Sequence, residues 1–241
     1  MRYEFKWSML LEQPYHEWIV DAVLTTLHLA LISWVIALTI GIFVGIARIA
    51  NSRLLRFLGG AYVEIFRNVP LLLQLFLWLY VAPEILPEEW RRWWYRLDHV
   101  PYLTAVVGLS LFTASRIAEQ IRSALLAIPR GQFNAALSTG LSTTQMYRYV
   151  VVPYALRIII PAITSEFLTI FKNTALALTI GVAEITSVAR KIEAWSFKGI
   201  EAYSVASLTY VVTTLAIILL MNWVEKRAHI PGLIKRHRGS V

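Results

Sequence analysis

The chain has 241 residues, of which 57% are hydrophobic and only 16% charged, a balance that excludes an ordinary water-soluble globule. Its net charge of +8 does not point to nucleic acid, because the basic residues are scattered between apolar runs and form no single stripe; charges flanking membrane segments account for them more simply. The lack of cysteine removes disulfides, thiolate metal sites and cysteine nucleophiles.

No signal peptide is expected, since the first apolar run starts well into the chain, is too long for one, and has no small-residue cleavage site after it. That run, residues 22–47, holds no Asp, Glu, Lys or Arg, and exceeds the roughly 20 apolar residues that cross a bilayer. Residues 68–83 are apolar but short, and are expected to extend back through Ala61, Tyr62 and Val63. Residues 99–115 continue into a charged stretch ending near Ile128, and residues 158–182 are apolar except for Glu166 and Lys172. Residues 202–224 are again free of charge. These runs predict an all-α integral membrane protein with five transmembrane helices in one domain over residues 1–241, in contact with membrane lipid.

Lys and Arg set the expected orientation. Arg48, Arg53, Arg56, the residues from Arg122 to Arg157, and the tail residues Lys226, Arg227, Lys235, Arg236 and Arg238 fall on one side. The other side has Arg2, Lys6, Arg91, Arg92, Arg96, Arg190, Lys191 and Lys198, diluted by acidic residues. The bias puts the N-terminus outside and the C-terminus in the cytoplasm. The Trp- and Arg-rich LPEEWRRWW run after the second span is expected to lie in the interfacial belt.

Charges inside spans are costly and mark function. Arg116, Glu119 and Arg122 follow at i, i+3 spacing, so Glu119 can reach both arginines and Arg116 is the one left over, its planar fork suited to a carboxylate. Lys172, Asn173 and Thr174 form a polar triplet in the fourth span and predict a locally broken helix facing a cavity. Glu166 is off the face of Lys172 and cannot neutralise it within the helix, so Lys172 either pairs with a residue of another span, such as Glu64, or serves the cavity; Arg67 makes an i, i+3 pair with Glu64. Arg116, Glu119, Lys172, Asn173 and Thr174 are therefore the candidate substrate-binding residues. No metal-ligand set and no catalytic group is expected: His28 lacks a nucleophile or carboxylate pair beside it.

The remaining landmark is residues 129–153, PRGQFNAALSTGLSTTQMYRYVVVP, a polar, small-residue stretch in an otherwise membrane-like chain. Ala135 and Ala136 permit close approach of another protein, Gly140 allows a φ > 0 turn between two short helices, and Pro153 is expected to stop the second. By spacing alone it is either a docking element or an ordinary loop. Gly131-Gln132, Asn134-Ala135-Ala136, Gly140-Leu141, Gln145 and Pro153 resemble the EAA loop of ABC importer permeases. The resemblance implies that Gly131, Asn134, Ala135, Ala136, Gly140 and Leu141 couple to a cytoplasmic ATPase. One departure is Asn134 in place of the motif's Glu, which loses a charge but can cap a short helix.

Four further stretches, YVEIFRNVPLLLQLFLW, LFTASRIAEQIRSALLAIPRGQ, VVPYALRIIIPAITSEF and FKNTALALTIGVAEIT, are similar in this order to the polar amino acid permeases, and within them to those of bacterial glutamate/aspartate importers. The resemblance implies a type I ABC importer permease-like fold in the bacterial inner membrane, working by alternating access. Its implied partners are a second permease subunit, with a heterodimer favoured, an ATPase dimer and an extracytoplasmic substrate-binding protein. No Walker motif is present, so the chain is expected to be no enzyme and to bind no cofactor, ATP being used by the partner ATPase. A stand-alone channel or secondary carrier is the competing class: it accommodates the buried charges but has no need of a docking loop.

Overall fold

The computed structural model describes residues 3–228, with side chains described up to Trp223. Arg2 and the tail residues Lys235, Arg236 and Arg238, on which part of the expected orientation rests, lie outside the described residues. After a short 3-10 turn at Trp7–Leu11, the order is α1 (Tyr15–Ala47), α2 (Arg53–Asn68), α3 (Leu71–Ile85), α4 (Glu88–Arg96), α5 (Val100–Leu126), α6 (Arg130–Ser138), α7 (Thr143–Ile180), α8 (Ile185–Ser196) and α9 (Gly199–Ala228). Among the described residues four helices, α1, α5, α7 and α9, are long and apolar enough to cross a membrane, and the number rises to the expected five where the bent pair α2–α3 counts as one span.

That pair turns through 104°. Pro70 forces the preceding Val69 into extended backbone (φ −92°, ψ 127°), which ends α2. The freed carbonyls at the break are not left bare. The Gln74 side-chain amide donates to the Phe66 and Val69 oxygens at 2.8 and 2.9 Å, tying α3 back onto the end of α2.

From Ala22 on, helix α1 has apolar residues on every side, yet apart from Leu29 its buried side is made of small residues: Ala22, Thr26, Ala30, Ser33, Ala37, Gly41 and Gly45 recur every three or four positions. From Ala37 onward the stripe lies on α5 against Ala114, Ile117 and Ile121, whereas Ala22 packs on α8 and the Thr26 hydroxyl accepts from the Ile185 amide at 3.2 Å. A Cβ on Gly41 would lie 2.6 Å from Ile117 Cγ2, and one on Gly45 would lie 3.0 Å from the Ala118 carbonyl oxygen. The close approach also brings the Ser110 hydroxyl of α5, which donates to the Val106 carbonyl of its own helix at 2.5 Å, to 3.2 Å from the Ser33 carbonyl of α1.

Helix α7 corrects one expectation. Pro153 does not stop a helix: a π turn at Tyr147–Val151 precedes it, and the helix runs on to Asn173. The expected break further along is present. Regular α-geometry ends at Asn173, tightens to a 3-10 segment at Thr174–Ile180, and closes at Gly181 with φ +91°. Beyond it, the fully buried Glu184 caps α8, accepting from the Thr186 and Ser187 amides at 2.9 and 2.7 Å and from the Tyr210 hydroxyl of α9 at 2.9 Å.

Candidate functional site

Two charge clusters sit on α5. In the first, the Arg116 guanidinium grips Glu166 of α7 through two bonds, Nε to Oε2 at 2.7 Å and Nη2 to Oε1 at 3.0 Å. The Gln120 amide, one turn along the same face of α5, donates to Glu166 Oε1 at 2.6 Å. Glu166 is almost fully enclosed, whereas the Arg116 side chain is 42% exposed. Arg116 is therefore not the unpaired residue that its spacing from Glu119 suggests, because the neutralising carboxylate comes from α7. A guanidinium has five N–H groups, and Glu166 uses two. Both hydrogens of Nη1 and one of Nη2 remain directed away from Glu166, an edge that still offers a carboxylate two donors.

The second cluster centres on Glu119. Its carboxylate is bonded to Arg48, which follows the last residue of α1, and to Arg122 Nη2 at 2.6 Å, with Arg67 of α2 at 3.9 Å. The i, i+3 pair with Arg122 is as expected. The expected Arg67–Glu64 pair does not form: Arg67 leans to Glu119, and Glu64 accepts from the Asn68 side-chain amide at 3.1 Å.

Lys172, Asn173 and Thr174 lie apart from both clusters. Six residues separate Lys172 from Glu166, about 240° around α7, so one faces α9 while the other faces α5. Lys172 is exposed and has no ion-pair partner among the described residues; the pairing with Glu64 is corrected. It borders an open cavity of about 430 Å³ with Ala175, Tyr210, Val211 and Thr214. Thr174 is fully buried, its hydroxyl turned back to the Phe171 carbonyl at 2.7 Å, where it finishes the α-helix.

In residues 129–153, α6 ends in a Schellman turn. Gly140, at φ +83°, donates to Leu137 O at 3.0 Å and Leu141 donates to Ala136 O at 3.4 Å. The second helix starts on a capping box: Ser142 Oγ accepts from the Gln145 amide at 3.3 Å while Gln145 Oε1 accepts from the Ser142 amide at 2.9 Å. Asn134 caps nothing, because α6 starts four residues earlier and Asn134 sits exposed at its middle. Ala135 is exposed as well, and so is Gly131, where a side chain would meet open space. Ala136 points the other way, into an apolar cluster with Met146, Val151 and Ala155 of α7, Ile121 and Ala124 of α5, and Ile128 just beyond α5.

Glu166, Gln120, Arg48 and Arg67 were not among the sequence candidates. A signal for two of them existed: Gln120 is four residues from Arg116, hence on its face, and a carboxylate in a span demands a cationic partner.

Comparison with known proteins agrees with this architecture. The chain is 40% identical over 242 aligned residues to the glutamate/aspartate import permease protein GltJ of Escherichia coli K12, covering 96% of this chain and 98% of that one. It is 33% identical to the nopaline transport system permease protein NocM of Agrobacterium fabrum, over 85% of this chain and 86% of that one. The crystal structure of an amino acid ABC transporter with histidines superposes with a TM-score of 0.80 at 27% identity, covering 94% of this chain and all of the other. Residues 37–230 match the family described as the inner membrane component of binding-protein-dependent transport systems, and the chain belongs to that family.

Proposed function

We propose that this permease carries glutamate and aspartate, and that Arg116 meets the substrate's side-chain carboxylate. As an ABC importer permease in the inner membrane, the chain leaves ATP hydrolysis to a separate ATPase subunit, binds no cofactor itself, and works in a complex with that ATPase and a binding protein. The similarity to GltJ across nearly the whole chain carries the choice of acidic amino acids. The physical support is the outer edge of Arg116, held in orientation by Glu166 and Gln120 and half open. Because Glu166 already neutralises Arg116, the pair offers directed donors more than net charge, which favours reversible binding over trapping.

The surface of α6 that bears Gly131, Asn134 and Ala135 is the reading's docking face for the ATPase, with Gly140 and Leu141 fixing the turn that presents it. Ala136 transmits the movement: its apolar cluster joins α6 to α5 and α7, so displacement of the loop acts on the helices that hold Arg116 and Glu166. Five spans make a thin wall for a pathway, and a second, different permease subunit completes it. The N-terminus is outside and α6 is cytoplasmic.

The test is ATP hydrolysis by the reconstituted complex with its binding protein. Glutamate and aspartate should stimulate it, and glutamine and asparagine should not; equal or greater stimulation by the amides would refute the acidic-substrate assignment.

A further inference from the structure

The Glu119 cluster holds more positive charge than its one carboxylate neutralises. Arg48, Arg122 and Arg67 converge on it, which leaves a local net charge of +2. Glu64, the carboxylate of α2, has no ion-pair partner among the described residues and accepts from the Asn68 amide. Side-chain exposure rises from 12% at Arg48 through 32% at Arg122 to 46% at Arg67, so the cluster is closed on its α1 side and open at Arg67. Its depth is set by Arg48, the residue after the apolar span of α1 ends, which is where a leaflet's phosphates lie.

We propose that this cluster binds the phosphate of an anionic phospholipid, with Arg67 making the outer contact and Arg122 backing it. Guanidiniums match phosphate oxygens through paired bonds, and basic pockets between membrane helices on the cytoplasmic side are suited to acidic headgroups. The charge distinguishes the occupant. A phosphatidylethanolamine headgroup is zwitterionic, its ammonium cancelling the phosphate's charge, so it gains little net attraction from a +2 cluster. A phosphatidylglycerol headgroup carries only the negative phosphodiester. The bound lipid would brace the ends of α1 and α2 against α5.

The test uses the intact complex in detergent, mixed with phosphatidylglycerol or phosphatidylcholine, with retained lipid counted by native mass spectrometry. Wild type should retain phosphatidylglycerol selectively, and Arg67→Gln should retain it about fivefold less tightly, the worth of one arginine near an acidic leaflet. Arg56→Gln is the control, since its guanidinium already donates to the Ala50 and Asn51 carbonyls at 2.7 and 3.1 Å, and it should behave as wild type. Equal retention by wild type and Arg67→Gln overturns the proposal, as does an equal loss in Arg56→Gln. Displacement of the lipid by inorganic phosphate alone would also overturn it, by making free phosphate the ligand.

Discussion

The Arg116–Glu166 pair gives a prediction that does not depend on the substrate. In Arg116→Ala, Glu166 stays enclosed, with 3% of its side chain exposed, and keeps only the Gln120 amide. Stranding a buried charge in this way costs about 3–5 kcal/mol. In Glu166→Gln the residue left behind is Arg116, which is 42% exposed and can turn towards water, so the cost should be nearer 1–2 kcal/mol, that of the lost charge-assisted bonds. The double variant Arg116→Ala/Glu166→Gln removes both charges and should recover about 2 kcal/mol of the loss caused by Arg116→Ala alone. Read as melting temperature at roughly 2–4 °C per kcal/mol, Arg116→Ala should melt about 6–20 °C below wild type, with the double variant several degrees above it. The assay is intrinsic tryptophan fluorescence on heating the detergent-solubilised complex, for which the nine tryptophans provide signal. Strict additivity of the two single losses, or a larger loss in Glu166→Gln than in Arg116→Ala, would refute the pairing and the burial on which the numbers rest.

Two other expectations concern the loop and the topology. Ala135→Glu, on the exposed face of α6, should abolish substrate-stimulated ATP hydrolysis while leaving the melting temperature within about 1 °C of wild type; Gly140→Val should do the same with an added backbone penalty of about 1–2 kcal/mol from its φ of +83°. Wild-type stimulation in both would remove the loop from coupling. In intact cells, an impermeant thiol reagent should label a cysteine placed at Glu89, before the exposed Trp90 and Trp93 of α4, and not one placed at Asn134; the chain's lack of cysteine makes the background clean. The reverse labelling pattern contradicts the orientation.

The apolar runs were legible because a span is set by composition over some twenty residues, and four of the five came through as single helices. The second did not, since a 104° bend at Pro70 is decided by one pre-proline residue and by Gln74 reaching back across it. Gly140 was legible for a local reason: a positive-φ turn of this kind strongly favours glycine. Pro153 misled because a π turn takes up the missing N–H without ending the helix. Of the i, i+3 pairs that spacing suggested, Glu119–Arg122 forms, whereas Glu64–Arg67 and Arg116–Glu119 give way to partners from other helices. Spacing identifies Glu119–Arg122, but only tertiary packing brings Arg48 and Arg67 to Glu119 and Glu166 to Arg116. Similarly, the small-residue stripe on α1 was present in the sequence, yet which helix it receives depends on the bundle.

The central claim is that the free edge of Arg116 recognises an acidic side chain, and Arg116→Lys tests it most directly. Lysine keeps a cation for Glu166, so the complex should still assemble with its ATPase and melt within a few degrees of wild type, but it lacks the fork. ATP-driven glutamate uptake into proteoliposomes, measured as kcat/KM, should then fall about ten- to a hundred-fold, the value of one charge-assisted bidentate contact of roughly 1.5–3 kcal/mol. Glutamate uptake by an assembled Arg116→Lys complex within twofold of wild type would contradict the claim.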